Sequence, residues 1–483
     1  MASKRDNLEE NLQMHQESSN SFPPDSSNED RNEEEDGEGA TLLQRVPART
    51  SRPMIQTQSS GSSFQDFLDQ YYSQGSIRGS VFNLCSATLG AGALSVPSAF
   101  KSMGIALGLF LLCVCAWTTT FSINLLVIAR SRTGCSTYEE ITRHLFGPRW
   151  ASFVEWNIIA ICFGTGVAYC KTLHDFVTPL VIVTNISSYA PWMTSTVALI
   201  VVWLFLLLPL SLVDSMNELR FASLFGVITI IYLVGAVCYH SSFNIASNAV
   251  QPPWSDLSLW VGSKPLDIIQ AVPIFMFAFT CQINVFAIFD DLNRASERRM
   301  AKVSFRAISL CLLLYACIGV SGFLEFGHRT HGNILNNFSQ EFTQGSVGVV
   351  LMYGAIAVTI VMAFPLIVHP CRSSIENVCS GYIPSNRLSH AAWTILISGG
   401  AIVLSLFVPH LDTVFQLVGG TTSAFICFVL PALFALKMGL YTGEPWRRAA
   451  LVLVAIMGGM GGILSTTITL VSLTTRTSDD KIS

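Results

Sequence analysis

The sequence predicts an all-α polytopic membrane protein with eleven transmembrane helices. Of the 483 residues, 51% are hydrophobic and 12% are charged, whereas a soluble protein carries roughly 25% charged residues. The apolar residues form long uncharged runs, and a helix needs about 20 such residues to cross a bilayer. Each run is predicted to be a helix because backbone groups in lipid must find partners within their own segment. The predicted segments span residues 77–100, 104–129, 151–182, 194–213, 221–241, 265–289, 303–325, 346–371, 389–408, 413–437 and 449–472.

Lysine and arginine are unevenly distributed among the loops that join these segments. They concentrate after segments 2, 6, 8 and 10, for example at Arg294, Arg298 and Arg299 after segment 6. Because short basic loops stay in the cytosol, the N-terminus is predicted to lie inside and the C-terminus outside. This orientation places the N-x-S sequon of Asn337 on an outside loop, so Asn337 is predicted to carry a glycan.

The composition changes sharply along the chain and predicts three regions. Residues 1–75 contain the runs NEDRNEEEDGE and SSGSSFQ, which are too polar to bury a core, and are predicted to be a disordered acidic cytosolic tail. Residues 76–472 form the predicted transmembrane domain, and residues 473–483 a short extracellular C-terminal tail. The acidic excess behind the net charge of −4 lies mainly in the first region. The charge therefore indicates no nucleic-acid partner.

Segment 1 contains the run SATLGAGALSVP, which is poorly suited to a continuous helix. Gly90 and Gly92 each weaken a helix interior by about 1 kcal/mol relative to alanine. Small residues at this spacing also allow two helices to pack closely, which is the alternative interpretation. Segment 6 contains a second interrupted run, PIFMFAFTCQIN. Interruptions in the first and sixth segments are typical of an inverted five-plus-five repeat, with a binding site between two broken helices near the bilayer midplane.

The two breaks suit a zwitterion because neither contains a charged side chain. A carboxylate can rest on the N–H groups around Gly90 and Gly92, at the positive end of the outer half of segment 1. An ammonium group can reach the carbonyl groups of residues 277–279 and the hydroxyls of Thr88 or Thr280. The candidate substrate-binding residues are Ser86, Thr88, Gly90, Ala91, Gly92, Tyr169, Phe277, Phe279, Thr280 and Gln282.

Three side chains in the predicted membrane segments are candidates for ion coupling. Lys171 and Asp175 lie four residues apart in segment 3, so they form either a plain ion pair or a proton-sensitive pair near the outer vestibule. His369 lies in segment 8, and histidine, whose unperturbed pKa is near 6.5, suits a proton relay, although a structural role is the alternative. Tyr169 is a candidate lid over the ligand or a packing residue.

The sequence predicts neither an enzyme nor a cofactor or metal site. It contains no HExxH, GxSxG or P-loop motif, so metal-dependent hydrolysis, acyl transfer and an ATP-driven pump are not expected. Most of the thirteen cysteines lie within apolar runs and are predicted to be buried small hydrophobic residues.

Several runs resemble the amino acid/auxin permease family. These are SVFNLCSATLGAGALSVPSAFKSMGI, PIFMFAFTCQINVFAIFDDL and PLIVHPCRSSI, while CFGTGVAYCKTLHDFVTPL looks closest to the amino acid permeases of kinetoplastid parasites. The resemblance implies a fold similar to that of the bacterial leucine transporter. Sodium-coupled members typically carry Asn where Ser86 stands, and Thr two places before the segment-8 proline, where this chain has Ala363.

The resemblance and the two breaks together predict a secondary transporter that moves amino acids by alternating access. The departures at Ser86 and Ala363 favour proton coupling or sodium-independent exchange. Neutral substrates are expected because neither break contains an acidic residue, and Asp175 or Asp290 leaves cationic ones, arginine or lysine, open. The long acidic tail leaves open a sensor or receptor of the same fold. The plasma membrane is the expected location, with a lysosomal or vacuolar membrane as the alternative.

Overall fold

The computed structural model describes residues 75–185, 192–212, 220–248, 250, 257–262, 264–379, 386–408 and 410–479. The predicted acidic tail lies outside this part of the chain, apart from Gly75. Within it, ten helices are long and apolar enough to cross a membrane, and a bent pair of shorter helices makes an eleventh span. The prediction of an all-α protein with eleven spans is confirmed.

The observed segments start and end within a few residues of the predicted ones. Segment 11 continues to Asp479, so residues 473–479, predicted as part of a tail, extend this helix. The bounds of segments 1 to 11 are, in order, Ile77–Thr88 with Gly92–Met103, Ile105–Thr133, Pro148–Val183, Ser195–Leu212, Arg220–Ala246, Pro265–Asp291, Glu297–Phe326, Val347–Cys379, Arg387–Phe407, Leu411–Lys437 and Pro445–Asp479.

Local sequence explains where several helices begin and end. Segment 7 begins after Ser296, whose side chain accepts a hydrogen bond from the Arg299 N–H group. A short amphipathic helix, Tyr138–Phe146, joins segments 2 and 3. It begins after Thr137, which caps the Glu140 N–H group, and ends at Gly147 with φ of 94°. A side-chain oxygen at the start and a left-handed glycine at the end are usual helix boundaries.

The segments differ in how much of their surface lies inside the bundle. Among the ten continuous segments, segment 6 is the most enclosed, with 72% of its apolar window buried, whereas segment 4 has 17% buried. Their apolar character is similar, so the difference separates a central helix from one that faces lipid. Segment 10 packs closely on segment 6 at a π-helical turn, where a Cβ on Gly419 would lie 2.1 Å from the Pro273 carbonyl oxygen. The two breaks therefore lie in the interior of the bundle.

Candidate functional site

Segment 1 is broken at residues 89–91, as predicted. Its inner half ends at Thr88, its outer half begins at Gly92, and the two axes differ by 60°. The Leu89 and Gly90 N–H groups turn back onto the carbonyls of Cys85 and Thr88. The N–H groups of Ala91 and Gly92 donate no hydrogen bond to any described residue. Free N–H groups at the start of a helix form a site for an anion.

Segment 6 is interrupted at the same depth but without a comparable bend. Its first part ends at Ala278, a single 3-10 turn covers Gln282–Asn284, and the helix resumes at Val285. The Thr280 N–H group donates to the Phe277 carbonyl at 2.9 Å. The two interruptions confirm the prediction of broken helices 1 and 6.

Glycine allows the two breaks to touch. A Cβ on Gly92 would lie 3.0 Å from the Cα of Ala278, and a Cβ on Gly90 would lie 2.9 Å from the hydroxyl of Tyr169. Close packing, the alternative interpretation of these glycines, is thus present at Gly92. It coexists with the break because the contact lies at the first residue of the outer half-helix.

A small cavity of about 50 Å³ separates the two breaks. Ser86 lies beside it, in a cavity of about 20 Å³ that shares Gly90, Ala91 and Tyr169 with the first and also includes Ala363. The predicted residues that line the 50 Å³ cavity are Thr88, Gly90, Ala91, Gly92, Tyr169, Phe277 and Thr280.

Two predicted binding residues lie away from these cavities. Phe279 is fully buried and its ring packs edge-on against Tyr315, with ring centroids 5.2 Å apart. Gln282 is also fully buried, and its side-chain oxygen accepts from the Cys281 N–H group at 2.9 Å. Both side chains belong to the scaffold behind the segment-6 break, because the irregular backbone turns them away from the gap.

Tyr315 in segment 7 joins the two breaks, and sequence reasoning missed it. Its hydroxyl lies 2.8 Å from the Thr88 carbonyl oxygen and 2.8 Å from that of Ala278. It therefore contacts the Ala278 carbonyl, one of the carbonyls to which the sequence-based prediction assigned an ammonium group. A tyrosine in the run LCLLLYACIGV was a usable signal, because a buried hydroxyl needs a hydrogen-bond partner.

Each threonine hydroxyl keeps a lone pair that a ligand can use, although the Thr280 oxygen also accepts from the Cys427 thiol at 3.8 Å. The Thr88 hydroxyl donates to the Leu84 carbonyl at 2.7 Å, and the Thr280 hydroxyl donates to the Met276 carbonyl at 3.0 Å. A hydroxyl oxygen that has donated its proton still carries lone pairs. An ammonium group in the 50 Å³ cavity would find two such oxygens on its wall.

A series of neighbouring cavities extends from the breaks toward the predicted cytosolic end. A vestibule of about 800 Å³ lies there and shares Ile283 and Pro370 with a cavity of about 90 Å³. That cavity shares Thr165, Tyr169 and Thr280 with the cavity between the breaks. Tyr169 lines all three small cavities, as a lid residue would.

The predicted outer end is closed by the loop of residues 327–346, here called the outer loop. Asp175 lies 3.5 Å from the Lys171 ammonium, so the predicted ion pair is present. Asp175 also accepts from the side-chain amides of Asn333 at 3.0 Å and Asn336 at 3.3 Å, both in the outer loop. A cavity of about 430 Å³ outside this contact shares no lining residue with the three small cavities.

The other predicted site residues lie at the periphery. His369 is half-buried in segment 8 and is not among the residues that line these described cavities, although its neighbour Pro370 is. Asn337 lies in the outer loop, where its amide nitrogen donates to the Arg329 carbonyl and its oxygen accepts from the His331 N–H group, both at 2.9 Å. Neither glycosylation of Asn337 nor a proton relay at His369 follows from these positions, and both stay predictions.

Two broken helices around a central cavity that connects to one side of the bundle define a secondary transporter. Residues 73–471 match the model of the family described as transmembrane amino acid transporter protein. The chain belongs to this family, and the predicted family resemblance is confirmed. The closer likeness to kinetoplastid permeases stays a prediction.

Individual relatives agree with the family assignment. Vacuolar amino acid transporter 5 of Schizosaccharomyces pombe is 29% identical over 73% of this chain and 82% of its own length. Vacuolar amino acid transporter 6 of Saccharomyces cerevisiae is 28% identical over 75% of this chain and 90% of its own length. A sodium-coupled sialic acid symporter shares the fold with a TM-score of 0.50 at 13% identity, covering 84% of this chain and 92% of the symporter chain.

Proposed function

We propose that this transporter carries amino acids by alternating access, with the ligand held between the two breaks. The supporting observation is that one cavity is lined by residues with both kinds of hydrogen-bonding group. Ala91 and Gly92 bring free N–H groups to its lining, and Thr88 and Thr280 bring hydroxyl oxygens. A zwitterion can use both ends of this arrangement. Movement of Tyr169 joins the small cavities into a space large enough for a side chain.

We infer that the substrates are neutral amino acids rather than cationic ones. No charged side chain lines the three small cavities of the described structure, so a cationic side chain would be buried there without a counter-ion. Asp175 is held by Lys171 and two asparagines outside the closed outer end. The yeast relatives are named vacuolar amino acid transporters, which supports a vacuolar membrane, as well as the plasma membrane, as the proposed site of action.

We infer that transport does not require sodium and is driven by protons. Ser86 and Ala363, the positions that differ from sodium-coupled members, line the same 20 Å³ cavity together with Gly226 and Thr359. A hard cation needs several oxygen ligands, and Ala363 offers only a methyl group. Lys171, Asp175 and His369 remain the candidates for sensing the coupling proton.

Uptake into proteoliposomes tests these proposals. We expect neutral amino acids to accumulate in sodium-free buffer when an inward proton gradient is imposed. The double variant S86N/A363T should acquire a sodium response, whereas A355T, the same change on segment 8 away from the cavities, should not. A strict sodium requirement in the native protein contradicts the ion assignment. Binding of an amino acid without accumulation contradicts transport and favours a sensor.

A further inference from the structure

Three titratable side chains meet at the predicted outer end. His240 in segment 5 lies between Glu325, at the end of segment 7, and Glu341, in the short helix Ser339–Thr343 of the outer loop. The ring nitrogen Nδ1 is 2.5 Å from Glu325 Oε1, and Nε2 is 3.1 Å from Glu341 Oε2. Asn244 donates to the same Glu325 oxygen at 2.8 Å. The cluster therefore joins two membrane segments to the outer loop.

The contacts of His240 require one more proton than a neutral imidazole supplies. Each nitrogen–oxygen contact needs a hydrogen atom, ionised carboxylates are acceptors only, and a neutral ring has one N–H group. A second proton, on the ring or on a carboxyl oxygen, satisfies both contacts. It also reduces the charge of the cluster from −2 to −1. Without it, a ring lone pair faces a carboxylate oxygen.

The surroundings of the cluster favour holding this proton. The Glu325 side chain is 2% exposed, and its second oxygen has no partner among the described residues. Burial raises the pKa of the Glu341 carboxyl, although His240 acts in the opposite sense. Glu325 and Glu341 are the charged groups that face His240 in the described part of the chain, and the Phe338 ring covers it at 5.2 Å. A proton thus relieves repulsion around a buried Glu325 carboxylate, while His240 and Glu341, which are 30% and 33% exposed, keep the cluster accessible to outer water.

A metal ion does not explain this arrangement. The two ring nitrogens of His240 point in opposite directions, so the two carboxylates do not converge on a common point with one nitrogen. Among the described residues, no group of three histidine, cysteine or acidic side chains has the spacing to hold a metal.

Glu341 belongs to the element that closes the outer path. The same outer loop supplies Asn333 and Asn336 to Asp175, and its Leu335 carbonyl accepts from the Tyr353 hydroxyl at 2.5 Å. Alternating access requires this loop to lift in the other half of the cycle. Lifting separates Glu341 from His240 and removes one of the two contacts that hold the proton.

We propose that His240, Glu325 and Glu341 bind one proton from the outer compartment and that this proton holds the outer loop closed. The step adds a proton from outer water to the cluster and returns it to the same water when the loop opens. By linkage, closure takes up a proton, so acidification of the outer compartment favours the closed loop. The regulatory step rests on the proposed alternating-access function. The cluster is separate from the Lys171–Asp175 pair, because Asp175 is bound by Lys171, Asn333 and Asn336 and by no member of the cluster.

Thermal unfolding of the purified full-length protein tests proton binding without any transport. The native midpoint should fall as pH rises from about 5.5 to about 8.5, around the ordinary pKa of histidine. The stabilisation requires the bound proton and is lost when the proton leaves. H240N and E341Q should each flatten this fall. D267N, which removes an exposed carboxylate at the same end of the bundle, should keep it. An unchanged slope in both cluster variants overturns the proposal.

Thiol labelling tests closure of the loop. Leu335 is 1% exposed, so L335C reacts with a membrane-impermeant reagent only when the outer loop lifts. We expect L335C/E341Q to react several-fold faster than L335C in acid and at a similar rate in alkali. Because both variants carry the same introduced thiol, comparing their rates at each pH removes the effect of thiol ionisation on the rate. Labelling of the native chain measures the contribution of its other cysteines. Equal rates in acid overturn the proposal that the bound proton holds the outer loop closed. If labelling depends on pH but the protein takes up no amino acid, only the transport function is refuted.

Discussion

The hydroxyl of Tyr315 is the most direct test of the arrangement around the breaks. Replacing Tyr315 with phenylalanine keeps the ring, which packs on Phe279, and removes the atom that lies 2.8 Å from the carbonyls of Thr88 and Ala278. Thr88 keeps a hydrogen bond from the Gly90 N–H group at 3.1 Å. The Ala278 carbonyl loses the one partner that the described structure gives it outside its own helix. The change therefore leaves a buried acceptor unsatisfied at the centre of the site.

The size of the effect follows from that acceptor. Leaving a buried polar group unpaired costs about 1–3 kcal/mol. A free-energy change of this size, applied to one conformation and not the other, shifts their balance by roughly 5- to 150-fold. The hydroxyl contacts both segments 1 and 6, so its loss should weaken the geometry that holds the ligand. We expect the KM of Y315F to rise within this range, with a smaller change in maximal rate.

The assay is concentration-dependent uptake into proteoliposomes containing equal amounts of each protein. Y353F is the matched control, because it also removes a tyrosine hydroxyl from a carbonyl, that of Leu335 in the outer loop. Y353F should change the balance between the closed and the open outer loop, without a selective rise in KM. A KM for Y315F within twofold of native, in protein that folds normally, refutes the bridging role.

Two further predictions concern the packing of the breaks and the outer end. Gly92→Ala places a Cβ 3.0 Å from the Cα of Ala278 and should abolish uptake at a normal expression level. Gly348→Ala, which meets nothing within 4 Å, should not, and wild-type uptake by the Gly92 variant contradicts the close contact. Asp175→Asn leaves the Lys171 side chain, 13% exposed, without its counter-ion, which costs about 3 kcal/mol. Its unfolding midpoint should drop by several degrees, and an unchanged midpoint counts against the pair.

Sequence patterns predicted the helices and the breaks because both depend on local chemistry. Apolar runs of membrane length specify the segments, and Gly90 and Gly92 weaken segment 1 wherever its neighbours lie. The residues that face the cavity were predicted less completely. Phe279 and Gln282 lie close in sequence to Thr280, which lines the 50 Å³ cavity. The irregular backbone of the break, and not the helical period, sets the directions of the Phe279 and Gln282 side chains.

The contacts that sequence could not supply join residues far apart in the chain. Tyr315 and Thr88 are 227 residues apart, and His240 and Glu325 are 85 residues apart. Tyr315 lies in an apolar run, and His240 and Glu325 lie near the ends of their segments, where a polar residue is compatible with several roles. Only the packing of segments 1, 5, 6 and 7 determines which carbonyl or carboxylate each polar group meets.

The 60° bend of segment 1 and the straighter course of segment 6 make the two broken helices mechanically unequal. In segment 1, residues 89–91 form a pivot, and the N–H groups of Gly92 and the rest of the outer half lie beyond it. The inner half can tilt about this pivot while these N–H groups stay in place, provided that the Tyr315 hydroxyl releases the Thr88 carbonyl. Segment 6 is stiffer than segment 1. Because Gly419 of segment 10 packs directly on Pro273, segment 6 cannot tilt unless segment 10 moves with it. Opening toward the cytosol thus moves mainly the inner half of segment 1, whereas opening outward must move segments 6 and 10 together.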